Sequence, residues 1–379
     1  MIDVLHLIDT YRIGGPGKTI INSALFIDRA RFRIHVGAFT DPVRTERNEF
    51  ARAVAAHGIP FLELPETRRI NLDHVGAIRR YVRQHGVSIV HAHGYRTDAL
   101  GYVATRGMPV AFVTTHHGWI RNNGRQELMA RSALQLCRRF DGVQVVSQRL
   151  LDELPRSVVR RQLADVVHNA IVPSDYASGG HRTPVRRALG VPDDALLLGV
   201  VGRLSLEKGC HELLDAFAVV AAAEPRVHLA LIGEGPLRAA LESRVAAVDW
   251  GHRVHFTGHQ SPVQPFYEAL DVLVSPSRTE GLSNAILEAL VFERPVVATR
   301  VGGNPEIIED GVSGLFVPAQ DPGALAAAIL RVVREPSLQA ALVAGGRARV
   351  GAAFTFEARM RREEQFYARV LARRGLTPD

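Results

Sequence analysis

Short apolar runs alternate with longer stretches of helical spacing along most of the chain. Residues 4–8, 33–39, 60–64, 88–92, 110–115 and 143–147 are each long enough for one buried strand. Between them, 18–27, 46–57, 73–85, 97–105 and 127–140 carry apolar positions three and four apart, the spacing of a helix with one buried face. Strands and helices alternating at this pace predict an α/β fold with a parallel sheet covered on both faces. The pattern lapses over 173–194, PSDYASGGHRTPVRRALGVPDD, where Gly, Pro and Ser are frequent. It then restarts, with strands expected at 196–201, 227–232, 254–256, 272–274 and 296–299 and helices at 211–223, 237–248, 263–270, 285–290, 321–334, 337–344 and 356–373.

This rhythm divides the 379 residues into an N-terminal Rossmann-like domain (1–172), an interdomain linker (173–194), a second Rossmann-like domain (195–355) and a C-terminal helix (356–379) expected to cross back to the first. Two doubly wound domains facing a central cleft would line it with strand carboxyl ends, where such sheets bind ligands.

The loops at those ends carry the chemistry. In SPSRTEGLSNAILEALVFERP (275–295), Glu280 and Glu288 stand eight positions apart around a helix start, with Ser283 or Asn284 as N-cap. Amides of Gly281, Leu282, Ser283 and Asn284 at that start favour an anion such as phosphate. In VVGRLSLEKG (200–209), Arg203 lies at a strand end and Lys208 at a helix entry, so their cations can converge on one anion. A departing anionic group builds negative charge that fixed cations or a metal must absorb. No D-x-D metal motif is present, and Asp193-Asp194 falls in the expected linker. The turn Gly14-Gly15-Pro16-Gly17-Lys18-Thr19 fails as a P-loop because Arg12 occupies the position of its first glycine. A glycine-rich turn whose amides approach a phosphate is the better reading.

The ordered set of the Gly-Gly turn, VVGRLSLEKG, LIGEGP (231–236), FTGH (256–259), the E-x7-E stretch and VGGNPEII (301–308) closely resembles family 4 of the retaining glycosyltransferases. The likeness covers nearly the whole chain and is strongest over 199–318. It implies the GT-B architecture and transfer of a sugar from a nucleotide diphosphate-sugar, UDP being the expected nucleotide, to a hydroxyl with retention and without a metal. It also implies that Gly15, Arg203 and Lys208 contact the diphosphate, Glu288 the ribose hydroxyls and Glu280 a hydroxyl of the donor sugar. His117, which precedes Gly118 after the strand 110–115, takes the place of the family's His-Gly beside the reacting centre. His91, His93 and His116 stand near it, but no cysteine or carboxylate in the sequence completes a familiar zinc set, so neither metal nor other cofactor is expected. Glu293-Arg294 replaces the Gly-Lys or Gly-Arg usual in the family, a change expected to alter a turn and leave the site alone.

Lys18, Tyr95, Arg96, Trp119 and Asn122 are assigned to the acceptor side. A nucleotide-sugar epimerase on the same fold is the alternative function, and a P-loop-like NTPase a weaker one; Arg12 argues against the latter.

Charge and composition refine the partners. Residues 1–180 hold 24 Lys and Arg against 16 Asp and Glu, and the remainder 22 against 23. The basic half favours an anionic glycan or lipid-linked acceptor, as in polysaccharide biosynthesis, over a neutral small molecule. The arginine-rich stretch 121–161 is compatible with peripheral contact to anionic membrane. Nothing resembles a nucleic-acid recognition module. Among 46 basic residues, Lys18 and Lys208 alone are lysines, and both fall in glycine-bearing loops. Cys137 and Cys210 form no disulfide framework. With no leader pattern and no apolar run near 18 residues, a cytoplasmic protein is expected.

Overall fold

The computed structural model describes residues 1–66, 73–118, 124–161, 163–176 and 179–376. The chain divides into two compact units, 1–170 with 356–379, and 171–355. The first contains the strands β1 (Ile2–Ile8), β2 (Phe32–Thr40), β3 (Phe61–Pro65), β4 (Ile89–His93), β5 (Ala111–His116), β6 (Gly142–Val145) and β7 (Leu163–Val166). They pair in parallel in the order β3-β2-β1-β4-β5-β6-β7. Ile8, at the end of β1, lies opposite Ala38 of β2 and His93 of β4. Connections run outward in opposite directions from β1 and β4, so the crevice between their carboxyl ends is the topological switch point.

All seven residues of β1 are buried, as a strand covered on both faces requires, and that is why continuous apolar runs located these strands. β7 escaped the sequence pattern: LADV is short, only half-buried and lies at the sheet edge. The expected helix 127–140 begins earlier, as Gly124–Leu136, and tightens into a 3₁₀ turn at Cys137–Arg139. The last helix, Phe356–Arg374, packs within the first unit. Its Phe366 and Val370 lie so close to Gly142 that a Cβ there would meet them at 2.6 and 2.9 Å, and the Phe356 ring packs tilted against Phe26.

The second unit contains β8 (Leu196–Val201), β9 (Val227–Ile232), β10 (Val254–Gly258), β11 (Val272–Ser275), β12 (Val296–Thr299) and β13 (Leu315–Val317), parallel in the order β10-β9-β8-β11-β12-β13. The topology repeats that of the first sheet, with its switch point between β8 and β11. Leu198, Val200, Leu213, Phe217, Leu229 and Val274 are among its buried core. β13, three residues long, was too short to register as a run.

The stretch expected as a linker, 173–194, belongs to this second unit. Within it the helix Arg182–Leu189 is fastened by charge: Arg186, 2 % exposed, pairs with Asp271 and donates to the carbonyls of Ala269 (3.1 Å) and Ala195 (2.9 Å). Arg182 donates to the other Asp271 oxygen at 2.6 Å. The amides of Gly179 and His181 donate to Glu268 at 2.6 and 2.7 Å. Composition alone suggested an interdomain linker; a buried guanidinium with all three nitrogens bonded makes it part of the body, since stripping such a charge of its partner costs about 3–5 kcal/mol.

Candidate active site

At the carboxyl edge of the second sheet, two loops are pressed together. After β8 the chain turns through Gly202 and Arg203 into the 3₁₀ turn Leu206–Lys208, and Gly209 joins this to the helix Cys210–Ala223. Gly209 has φ 67°, and a Cβ there would meet the Pro276 carbonyl oxygen at 2.0 Å. The loop after β8 therefore rests on the loop after β11 with no space for a side chain. That approach brings Lys208 Nζ to 2.6 Å from Glu280 Oε1, to which Ser277 Oγ also donates at 2.8 Å. The Lys208 side chain remains 28 % exposed and that of Glu280 10 %, so the ammonium still borders solvent. Arg203 pairs with Glu207 one turn on, and about half of its side chain is exposed.

Glu280 is held from behind as well. Gly302, with φ 53°, sits where a Cβ would come within 1.8 Å of the Glu280 carbonyl oxygen, and the Gly303 amide donates to the Gly281 carbonyl at 2.9 Å. Thr299 Oγ1 donates to the Ser277 carbonyl at 2.6 Å. The loop of VGGNPEII thus braces the E-x7-E loop. Ser277 was missed in the sequence, although its place three residues before Glu280 fits a hydroxyl folding back on a carboxylate.

Ser283 caps the helix Asn284–Val291 by accepting from the Ile286 amide. Gly281, Leu282 and Ser283 are buried and Asn284 half-buried. Glu288, one turn into that helix and 7 % exposed, accepts from Tyr267 Oη at 2.7 Å and from Tyr176 Oη at 3.1 Å. Burial and the Glu288 carboxylate both push the two phenols up. Neither tyrosine has a spacing signal; they reach Glu288 through tertiary packing. Glu293, just past the same helix, has φ 58°, in the left-handed region where glycine is the usual occupant. The Arg294 guanidinium turns to the carbonyls of Leu270 (3.0 Å) and Phe292 (2.8 Å).

In the first unit the candidate residues follow β1, β4 and β5. Gly15 opens the helix Gly15–Phe26, whose N-cap, Gly14, offers no side-chain bond, and Lys18 is half-buried in its first turn. Tyr95 and Arg96 open the helix Tyr95–Thr105 after Gly94. Arg96 is already engaged. Its guanidinium lies 3.7 Å from the Phe39 ring centroid, pairs with Glu66 and stands 3.6 Å from Asp9. Tyr11 Oη also donates to Glu66. Burial works to raise Glu66, yet the bonds from Tyr11 and Arg96 hold it below the usual carboxylate range, whereas burial raises Asp9 in spite of Arg96. Asp9, Tyr11 and Glu66 are polar residues the sequence did not single out. Trp119 and Asn122 lie outside the described residues.

His117 joins a buried histidine row. His93 Nδ1 lies 3.3 Å from His117 Nε2, and His93 Nε2 lies 2.9 Å from His6 Nδ1. Tyr367 Oη touches His6 Nε2 (3.2 Å), His91 Nδ1 (2.7 Å) and Glu363 (2.9 Å). Burial, aided by the Arg359 charge, lowers His117 and His6 to about 3, and burial drives His91 and His93 well down too. These imidazoles are neutral at pH 7. Asp98, buried in the helix after β4, accepts from Thr114 Oγ1 at 2.6 Å, but burial still pushes its carboxyl up to about 7.

The sequence suggested no cysteine or carboxylate beside these histidines. The fold supplies both, with Glu363 3.8 Å from His91 Nδ1 and Cys137 Sγ 3.1 Å from His116 Nε2. His6, His91 and His93 bring ring nitrogens within 4.8 Å of one another. The facing nitrogens of His6 and His93, however, are a hydrogen bond apart, closer than the roughly 3.3 Å that two nitrogens keep on a tetrahedral zinc with bonds near 2.0 Å.

Two family descriptions match the chain. "Glycosyltransferase Family 4" matches residues 13–175 and "Glycosyl transferases group 1" matches residues 195–335. The chain belongs to the family 4 glycosyltransferases. Over 188 residues it is 36 % identical to the lipopolysaccharide core biosynthesis glycosyltransferase LpsE of Rhizobium meliloti, covering 49 % of this chain and 54 % of that one. It is 32 % identical to a D-inositol 3-phosphate glycosyltransferase of Geodermatophilus obscurus, over 71 % of this chain and 63 % of the other. The matched stretches thus span about half to two-thirds of these relatives. Among solved structures, Anabaena HepE in complex with UDP and glucose superposes with a TM-score of 0.84 at 23 % identity, covering 97 % of this glycosyltransferase and all of HepE. Sucrose-phosphate synthase from Thermosynechococcus elongatus gives 0.79 at 21 % identity, over 98 % and 100 %. These likenesses establish the GT-B fold.

Proposed function

We propose that this glycosyltransferase moves a sugar from a nucleotide diphosphate-sugar, with UDP as the nucleotide, to a hydroxyl of an acceptor, retaining anomeric configuration and using no metal. The observation that carries the reading is the Lys208–Glu280 contact at the β8–β11 switch point, joined by the half-exposed Arg203 guanidinium. An ammonium has three donors, so Lys208 can keep Glu280 and still bond a phosphate oxygen. Arg203 and Lys208 then absorb the charge of the departing diphosphate, the office a metal fills elsewhere. Glu280 accepts from a hydroxyl of the donor sugar, and Glu288, aligned by Tyr267 and Tyr176, serves the ribose. Gly15 contributes an amide to the diphosphate. His117, neutral, offers a hydrogen bond beside the anomeric carbon and no charge. The acceptor is attacked from the face the diphosphate leaves, and the departing phosphate takes the acceptor proton.

The UDP and glucose bound to HepE support the donor class. The lipopolysaccharide core role of LpsE and the basic first half of the chain favour an anionic glycan or lipid-linked acceptor. Among the described residues no helix is long and apolar enough to cross a membrane. A cytoplasmic enzyme in peripheral contact with anionic membrane is the proposed setting for such an acceptor. Isothermal titration of UDP and of UDP-sugars, with and without EDTA, tests the donor and the metal together. Binding unaffected by EDTA and lost in Arg203→Ala is the expected result, and binding that collapses on chelation refutes it. Incubation with donor alone, scored for an isomerised sugar, distinguishes transfer from epimerisation.

A further inference from the structure

We infer that Glu363, Tyr367, His6 and His93 form a buried hydrogen-bonded relay whose polarity fixes the tautomer of His117, placing its proton on Nε2 and leaving Nδ1 as an acceptor. They are positioning residues, and only their consequence for turnover rests on the role proposed for His117.

The direction of the relay follows from its far end. Glu363 is fully buried and ion-paired with Arg359 at 3.3 Å; a carboxylate so held can only accept. Tyr367 Oη donates to it at 2.9 Å, which leaves the phenol oxygen able only to accept from His6 Nε2. A neutral imidazole with its proton on Nε2 has a bare Nδ1, so His6 Nδ1 accepts from His93 Nε2. By the same step His93 Nδ1 accepts from His117 Nε2. Each ring hands the constraint to the next.

The same assignment carries into a side branch. If the phenol oxygen only accepts, His91 Nδ1 must donate to it and His91 Nε2 must accept from Thr115 Oγ1, 2.7 Å away. Gln144, 3.0 Å from Thr115 Oγ1, must then present its amide nitrogen to Thr115. With the amide the other way round that nitrogen is a buried donor without a partner; the orientation the relay demands gives it Thr115 and moves the unpartnered place to the amide oxygen, the less costly of the two to leave unpaired. Among the described residues, the charged groups facing the row are Arg359 and Glu363, both on the C-terminal helix. Burial keeps all four imidazoles neutral, as a chain of single tautomers requires.

The test uses the full-length protein labelled with [15N]histidine. Long-range proton–nitrogen spectra, assigned with His117→Gln, should show His117 as the Nε2-H tautomer from pH 6 to 8. In Tyr367→Phe the His117 signals should shift to a tautomer mixture. Its kcat should fall roughly ten- to a hundred-fold, the loss typical when a partner that orients an imidazole is removed, with KM for the donor within about twofold. Circular dichroism verifies that the variant is folded. The wild-type spectrum alone overturns the inference if His117 carries its proton on Nδ1 or titrates between pH 5 and 8. Unchanged His117 signals in folded Tyr367→Phe also overturn it, as does one equivalent of transition metal that survives EDTA. If His117→Gln keeps full turnover, the catalytic reading of His117 fails while the tautomer stands or falls on its own spectrum.

Discussion

At the carboxyl ends of β8 and β11 the chain leaves charge in reach of solvent: Lys208 against Glu280, Arg203 against Glu207. At the ends of β1, β4 and β5, in a sheet with the same order at its centre, it does the reverse and sets four neutral imidazoles in a row, His6, His91 and His93 buried and His117 half-buried. The topology is shared, so it does not decide the chemistry. What differs is the cargo of the loops. Two facing glycine contacts, at Gly209 and Gly302, hold the second-unit loops in place so that a lysine can stay partly exposed, whereas the C-terminal helix seals the histidine row with Tyr367 and Glu363. On the proposed reading one edge meets an anion and the other offers directed, uncharged hydrogen bonds.

The largest expected effect tests the charged edge. Lys208→Ala should lower kcat with the donor by about 10²–10³, or roughly 2.7–4 kcal/mol of barrier, the cost of deleting one donor to a developing anion. Its melting temperature should stay close to wild type, because the pair it breaks is part-exposed. A loss confined to stability would show that Lys208 is merely structural and that the contrast between the edges is false.

The next concerns charge on the buried edge, and its sign is fixed by Asp98. The folded carboxyl titrates at about 7, above its ordinary 3.8. Between roughly pH 4 and 7 the folded state therefore holds a proton the unfolded state has lost, and stability must fall as pH rises through that window. Asp98→Asn removes this dependence. Its amide meets a side of the site where Asp98 Oδ2 has no hydrogen-bond partner, which costs part of the gain. The variant should be more stable than wild type by roughly 1–2 kcal/mol at pH 8, with the advantage gone or reversed below pH 4. Urea melts at the two pH values measure it; a pH-independent difference would mean that folding leaves the Asp98 carboxyl at its ordinary value.

The smallest effect lies beside the charged edge. Glu293→Gly should stabilise by about 0.5 kcal/mol, the left-handed backbone strain of roughly 1 kcal/mol less the greater freedom glycine loses on folding. The ion pair it forfeits with Arg347 is exposed and worth little. Unchanged donor kinetics in this variant would separate the turn from the site.

Much of this was legible in the chain. β8 is apolar throughout and β1 is apolar apart from Asp3 and His6, because both are covered on both faces, and the loops after them are punctuated by glycine, so strand ends and candidate cations appeared together. Arg203, Lys208 and Glu280 were found because a strand-to-helix loop is short enough for spacing to constrain side chains. Tyr176 and Tyr267 were not, because they reach Glu288 from segments 112 and 21 residues distant. The histidine row was half visible: HAH and THHG stood out, but His6, Tyr367 and Glu363 come from opposite ends of the sequence. The segment 173–194 misled because composition reports on glycine and proline and is blind to one arginine finding Asp271.

The scarcity of lysine gives the Lys208–Glu280 contact a practical use. Apart from the α-amine, Lys18 and Lys208 are the sole primary amines in the molecule, one in each unit. Reductive methylation with isotopically enriched formaldehyde would thus introduce spectroscopic labels at just two side chains. The Lys208 resonance would report any ligand that disturbs its carboxylate neighbour, with Lys18 as the simultaneous observer of the other half.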